Sequence, residues 1–176
     1  AEQQLAVVAD EARLDAISAT FASVIDAKSP YTSEHSRRVA ALAVAIAERL
    51  GFSPANVTRL RRAALLHDIG KLAVPPHILN KPGRLTQAEF EKMKIHTVVG
   101  AQILSRVEFP YPVIPIVRHH HEQWDGRGYP DRLKGEQIPI TARILSVVDC
   151  FDSVREDRPF RRGMTADEAT ALLLRG

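Results

Sequence analysis

Apolar residues in this chain recur at three- and four-residue spacing almost from end to end, and no stretch keeps the alternation of apolar and polar side chains that a half-buried strand needs. A chain patterned in this way buries its apolar surface by packing helix on helix, so the fold class is all α. Its 176 residues fit one domain, and 45% apolar with 26% charged residues is the balance of a globular protein. The longest apolar runs, such as Ala40 to Ala47, are too short to span a bilayer, and no cleavable signal opens the chain, so a cytoplasmic location without membrane contact is expected. A single cysteine, Cys150, excludes an internal disulfide and a four-cysteine zinc cluster, and reads as a small buried core residue.

Helices can be delimited from the chain itself. Val7, Leu14 and Phe21 stand seven apart, with Ile17 and Val24 offset by three, as a short heptad stripe interrupted by Asp10. The stripe is either a signalling coiled coil, entering from an upstream sensor or receiver domain and able to pair two copies of the chain, or a helix lying on the core. Residues 1–28 are assigned as a linker helix and 29–176 as the main domain. Ser29, Pro30 and Thr32 break that helix, and the next is expected to bury His35, Val39, Leu42, Ile46 and Leu50 before Gly51 closes it. Ser53 and Pro54 make an N-cap and first-turn pair for a third helix, which buries Val57, Leu60 and Ala64 and reaches His67, Asp68 and Lys71 on the same side.

The stretch from Val74 to Leu85, with Pro75, Pro76, Pro82 and Gly83, reads as a loop, and Thr86 with Glu89 as a capping box for a helix carrying His96. Ile116 and Val117 precede His120 and His121 by four residues each, so one helical face is expected to deliver both rings inward. After a Gly- and Pro-rich loop, Asp125 to Pro130, comes a helix in which Ala142, Leu145, Asp149 and Asp152 share a face. Thr165 with Glu168 caps a last helix that stops at Gly176.

Seven polar residues therefore stand where apolar ones would pack better: His35, His67, Asp68, His96, His120, His121 and Asp149. A buried carboxylate without compensation costs several kcal/mol, so the two aspartates need cations or strong donors beside them. One inward histidine is more often a satisfied core residue. Five with two aspartates exceed one tetrahedral site and suit two divalent ions sharing a carboxylate, from the group iron, manganese, zinc, nickel or cobalt. Such a pair acidifies a bridging water to hydroxide and clamps a phosphodiester for in-line attack. Lys71 either stabilises the transition state of that reaction or is a solvated lysine near a helix C-terminus. The formal charge of +3 gives no reason to expect polymeric nucleic acid. Arginines gather at Arg59, Arg61 and Arg62, and at Arg155, Arg158, Arg161 and Arg162, each cluster being a phosphate holder or a solvated helix face.

In their order along the chain these residues resemble the HD-GYP subgroup of the HD phosphohydrolases, from about Tyr31 to Leu174. The blocks are Tyr31-Thr32 with His35-Ser36-Arg37-Arg38-Val39; Leu66-His67-Asp68-Ile69-Gly70-Lys71; Ile78-Leu79-Asn80-Lys81-Pro82-Gly83; and His96 with Gly100. They continue through the signature His120-His121-Glu122-Gln123-Trp124-Asp125-Gly126-Arg127-Gly128-Tyr129-Pro130 to Ala142-Arg143-Ile144-Leu145, Asp149, Phe151-Asp152 and Asp157-Arg158-Pro159-Phe160.

The resemblance implies a helical HD fold and hydrolysis of cyclic di-GMP to the linear dinucleotide pGpG and onward to GMP, with two divalent ions, iron or manganese first. It implies one ion on His35, His67, Asp68 and Asp149 and a second on Asp68, His96, His120 and His121, with Asp68 as the bridge. Lys71 becomes the catalytic lysine, and Arg158, Arg161 and Lys81 substrate contacts. The Gly128-Tyr129-Pro130 loop lies beside the site, where glycine freedom and a packed tyrosine give it a structural role. Tyr31 stands where some members place a third-metal glutamate, which favours two ions here. The family continues past Gly176, so the chain is expected to be a piece of a longer protein. Two rival functions fit the same residues: an HD phosphohydrolase of another nucleotide or mixed cyclic dinucleotide, and a non-catalytic cyclic-dinucleotide-binding signalling module.

Overall fold

Residues 11–29, 34–107, 109–158 and 161–175 are described by the structure, a computed structural model. The helices run in the order α1 (Glu11–Asp26), α2 (His35–Arg49), α3 (Pro54–Leu66), α4 (Pro76–Leu79), α5 (Gln87–Leu104), α6 (Ile114–His119), α7 (Ile140–Arg155) and α8 (Ala166–Leu174), with 3₁₀ turns at Ile69–Ala73 and Gly135–Gln137. Among the described residues there is no strand, and an isolated bridge joins Arg158 and Arg161. Val7, Asp10, Pro30, Tyr31, Thr32, Pro159, Phe160 and Gly176 lie outside the described residues. No described helix is long and apolar enough to cross a membrane.

Helix starts follow the caps read from the chain. Ser53 accepts from the Asn56 amide with Pro54 opening α3, and reciprocal capping boxes close Thr86 with Glu89 and Thr165 with Glu168. The loop expected from Val74 to Leu85 contains one helical turn, α4, because Pro76 at its first position is already fixed near the helical φ and Ile78 can be buried beneath it.

The buried face of α2 is rotated from the expected one. His35, Ser36, Val39, Ala40, Ala43 and Ala47 face inward, Leu42 and Ile46 are only partly buried, and Leu50 is exposed. Alanine packs closest, so the helix turns its small side chains toward α3 and α7 and leaves the larger ones at the margin of the core. That core is built from Leu60, Ala63 and Ala64 of α3, Val117 of α6, and Leu145 and Val148 of α7. Cys150 is exposed, contrary to its expected burial, because α7 directs Ala142, Leu145, Asp149 and Asp152 inward and carries the next position outward.

α1 lies on the core, but by a face other than the N-terminal stripe. Ala22 and Ile25 of α1 are buried in the common core, while Ile17, Phe21 and Val24 point outward at 42%, 44% and 51% exposure. Three polar ties fix the inner face. Asp26 accepts from the Ser36 amide at 3.2 Å and hydroxyl at 2.7 Å, and Lys28 donates to the carbonyls of Lys71, Leu72 and Val74 at 2.6, 2.8 and 3.1 Å. Arg62, fully buried on α3, holds Asp15, the Glu11 carboxylate and carbonyl, and the Tyr111 hydroxyl. Arg61 pairs with Asp15, and Arg59 lies over the Tyr111 ring. Arg61 and Arg62 of the first arginine cluster thus clamp α1, while Arg59 bonds Asn56 on its own helix.

Gly70 sets the approach of the 3₁₀ turn to α5. A Cβ there would stand 1.8 Å from the His96 carbonyl oxygen and 2.6 Å from the Gly100 amide nitrogen, both backbone atoms that cannot swing away. Gly70→Ala must therefore push α5 and its His96 off the turn. Thermal unfolding should show a loss of about 3 kcal/mol or more, whereas Gly83→Ala, with nothing within 4 Å of the added atom, should stay near wild type.

Candidate metal centre

Three of the inward histidines share one local device. The Nδ1 atoms of His67, His96 and His120 lie 2.7, 2.8 and 2.6 Å from the carbonyl oxygens of Ala64, Met93 and Val117, each three residues earlier. A carbonyl can only accept, so each Nδ1 carries the proton and each Nε2 keeps its lone pair. His35, at the start of α2, makes the equivalent bond to the Asp152 carboxylate at 2.7 Å. All four imidazoles are thereby fixed in orientation with their Nε2 atoms turned into the domain.

Those atoms meet around Asp68. Its Oδ2 lies 3.3 Å from His67 Nε2 and 4.0 Å from His35 Nε2, while its Oδ1 lies 3.7 Å from His96 Nε2. Asp149 Oδ1 approaches His35 Nε2 to 3.2 Å and His67 Nε2 to 3.9 Å. Three overlapping sets place one donor atom per residue within 4.8 Å of one another: His35, His67 and Asp149; His67, Asp68 and His120; His96, His120 and His121. The carboxylate of Asp68 stands between the outer two.

The electrostatics leave these donors unsatisfied. His67 Nε2 is buried without a hydrogen-bond partner, and the Nε2 atoms of His96 and His120 face each other at 3.4 Å. Burial pushes His96 down to about 3, and burial with the neighbouring His121 pushes His120 well below its ordinary value, so both rings are neutral. Two lone pairs so close repel unless a cation lies against them. Around Asp68, burial is outweighed by His67 and Lys71, whose ammonium is 2.5 Å from Oδ2, and the carboxyl is held well below the usual range. On His35, burial is outweighed by the Asp149 and Asp152 carboxylates, and its pKa rises to about 9. Borderline nitrogen donors mixed with carboxylate oxygens are the donor set of iron, manganese, zinc, nickel and cobalt, so the residues present fit divalent ions.

Residues 19–176 match the HD domain family. The chain belongs to that family. A Vibrio cholerae protein named 3'3'-cGAMP-specific phosphodiesterase 3 is 43% identical over 93% of the chain, and a Thermotoga maritima cyclic di-GMP phosphodiesterase is 46% identical over 78% of it. The HD domain spans only 36% and 38% of the lengths of those relatives. The solved structure of a V. cholerae cyclic GMP-AMP-specific phosphodiesterase is 38% identical and superposes with a TM-score of 0.58, over 96% of this chain and 38% of that one. A Bdellovibrio bacteriovorus protein titled as an HDG"Y"P protein, 21% identical over 94% of this chain and 58% of its own, shares the fold with a TM-score of 0.70.

Not every residue expected at the site has a free hand there. Arg161 turns its guanidinium onto the carbonyls of Ser153 and Val154 at the end of α7, at 3.0 and 2.5 Å, and so caps that helix. Lys81 pairs with Glu89 at 2.6 Å and supports the capping box of α5. Arg158 is bridged to Arg161 through the backbone. His120 and His121 do not share a helical face, since α6 ends at His119. His120 takes the cap position and His121 the turn after it, where its ring stacks on Tyr129 with centroids 4.9 Å apart.

The Gly128-Tyr129-Pro130 loop is structural in its glycine, since a Cβ on Gly128 would meet the Gln123 amide nitrogen at 2.2 Å. Glu122, which the spacing of the chain gives no reason to single out, accepts from the amides of Asp131 and Leu133 at 2.7 and 3.0 Å and folds the loop back on itself. Asp152 is the other omission. Its place on the α7 face is legible, but its partner on α2 is not.

In the metal-free HD domain His35 keeps its proton up to about pH 9, and an ion can take Nε2 only by expelling it. Metal affinity should therefore fall by about tenfold or more per pH unit below that value. Calorimetric titration with manganese at a series of pH values, in buffers of different ionisation enthalpy, should register the released proton; a pH-independent affinity contradicts the assignment.

Proposed function

We propose that this HD domain hydrolyses a phosphodiester bond of a cyclic dinucleotide, cyclic di-GMP in the first place, yielding pGpG, GMP or both, with two divalent ions bound. The observation that carries the reading is the position of Asp68, whose two oxygens face separate histidine groups. On this reading His35, His67, Asp68 and Asp149 hold one ion, and Asp68, His96, His120 and His121 the other. Iron or manganese comes first, and zinc, nickel or cobalt suits the same donors. Bound there, the ions supply Lewis acidity toward a phosphate oxygen and lower the pKa of water.

The chain's own residues orient and neutralise. Asp68 and Asp149 are held ionised by the surrounding histidines and, for Asp68, by Lys71. Lys71 brings a positive charge to the mouth of the site, where charge gathers on the phosphoryl oxygens or the departing alkoxide. Burial, with the Asp149 and Asp68 charges, raises the Tyr129 hydroxyl above its ordinary pKa, so it stays protonated as a donor beside the site. The buried rings of His67, His96 and His120 exclude bulk water.

A second substrate deserves a place beside the first. The 43% identity with a 3'3'-cGAMP-specific enzyme over 93% of the chain supports the mixed cyclic dinucleotide. Because the relatives are much longer, we also propose an upstream sensor or receiver domain that acts through α1, whose ties to Ser36, Arg62 and the 3₁₀ turn lead into the site. Its outward stripe of Ile17, Phe21 and Val24 suits pairing with a second copy. An exposed unpaired Cys150 suits a reducing cytoplasm.

Incubation of metal-loaded protein with cyclic di-GMP and with 3'3'-cGAMP, followed by separation of products, tests the reading; both substrates unchanged at confirmed metal occupancy would overturn it. Asp68→Ala should lose both ions and all activity. Lys71→Ala should retain both ions while kcat falls about 10²–10³-fold.

A further inference from the structure

We propose that Asp152 is the positioning residue of His35 and thereby governs the affinity of one metal position without governing the other. The inference rests on the two-ion reading above. His67, His96 and His120 each anchor Nδ1 on a carbonyl of their own local chain. His35 is the first residue of α2, so no carbonyl of its own helix precedes it. A carboxylate from α7 takes that role. Asp149 and Asp152, one turn apart on α7, bracket the ring: Asp149 Oδ1 lies 3.2 Å from Nε2, and Asp152 Oδ2 lies 2.7 Å from Nδ1.

Asp152 is itself held. Arg38, one turn beyond His35 on α2, donates from Nε to Oδ1 at 2.8 Å and from Nη2 to Oδ2 at 2.9 Å, and pairs as well with Glu156 just after α7. With both oxygens gripped and only 4% of its surface exposed, the carboxylate cannot rotate away from the imidazole. A carboxylate is also a stronger acceptor than a carbonyl, so the His35 ring is made a better donor than its three neighbours. The effect stays local, because the His96, His120 and His121 group takes no orientation from Asp152.

The test is metal binding to the purified, metal-free chain, read by calorimetry with manganese and by metal content after gel filtration. Wild type should bind two ions; a single ion overturns the two-ion reading itself, before any variant is compared. In Asp152→Ala one position should weaken about 10–100-fold while the other is unchanged. Asp152→Asn keeps an acceptor for Nδ1–H without the charge, should fall between the two, and carries the test if the alanine variant fails to fold. With zinc as the ion, the nitrogen-15 signal of a protonated His35 Nδ1 should persist in the asparagine variant. Equal weakening of both positions, or no change in either at both substitutions, overturns the proposal.

Discussion

Each proton on Nδ1 of His35, His67, His96 and His120 is committed to a fixed acceptor, and this leaves four Nε2 atoms aimed at a small region around the Asp68 carboxylate. A buried polar atom without a partner costs about 1–3 kcal/mol. The arrangement therefore carries a cost that hydrogen bonding within the chain does not relieve, as the orphaned His67 Nε2 and the opposed His96 and His120 rings make plain. A packed core has no use for such a geometry, and divalent cations have.

The rest of the fold serves to hold those rings. Close helix contacts are possible only where side chains are small, so alanines line the inner face of α2 and Gly70 lets the turn carrying Lys71 lie against the backbone at His96. α1 is drawn into the same framework by three ties: Asp15 to Arg62 on α3, Asp26 to Ser36 at the start of α2, and Lys28, just past its end, to the 3₁₀ turn. A displacement of α1 would reach the neighbourhood of His35 and Lys71 through one intervening hydrogen bond each.

The helical class, the three side-chain caps and the inward direction of His35, His67, Asp68, His96 and Asp149 were legible in the chain, because each depends on spacing within a few residues; the shared helical face expected of His120 and His121 is absent, since α6 ends at His119. The seven-residue assembly also has a wording in family blocks. What could not be read depends on pairs far apart in sequence. The Asp152 bond to His35 joins α7 to α2, the Arg62 clamp joins α3 to α1, and Arg161 prefers the end of α7 to open solvent. The rotation of α2 escaped for another reason: hydrophobic spacing favours the larger residues Leu42, Ile46 and Leu50, whereas close packing rewards Ala40, Ala43 and Ala47.

Anomalous diffraction from crystals of the manganese-loaded chain is the most direct measurement of the central idea. Two peaks are expected, one on each side of the Asp68 carboxylate, the first touched by His35 and the second by His96. A lone peak, or ions bound away from Asp68 with the four Nε2 atoms still bare, would contradict it.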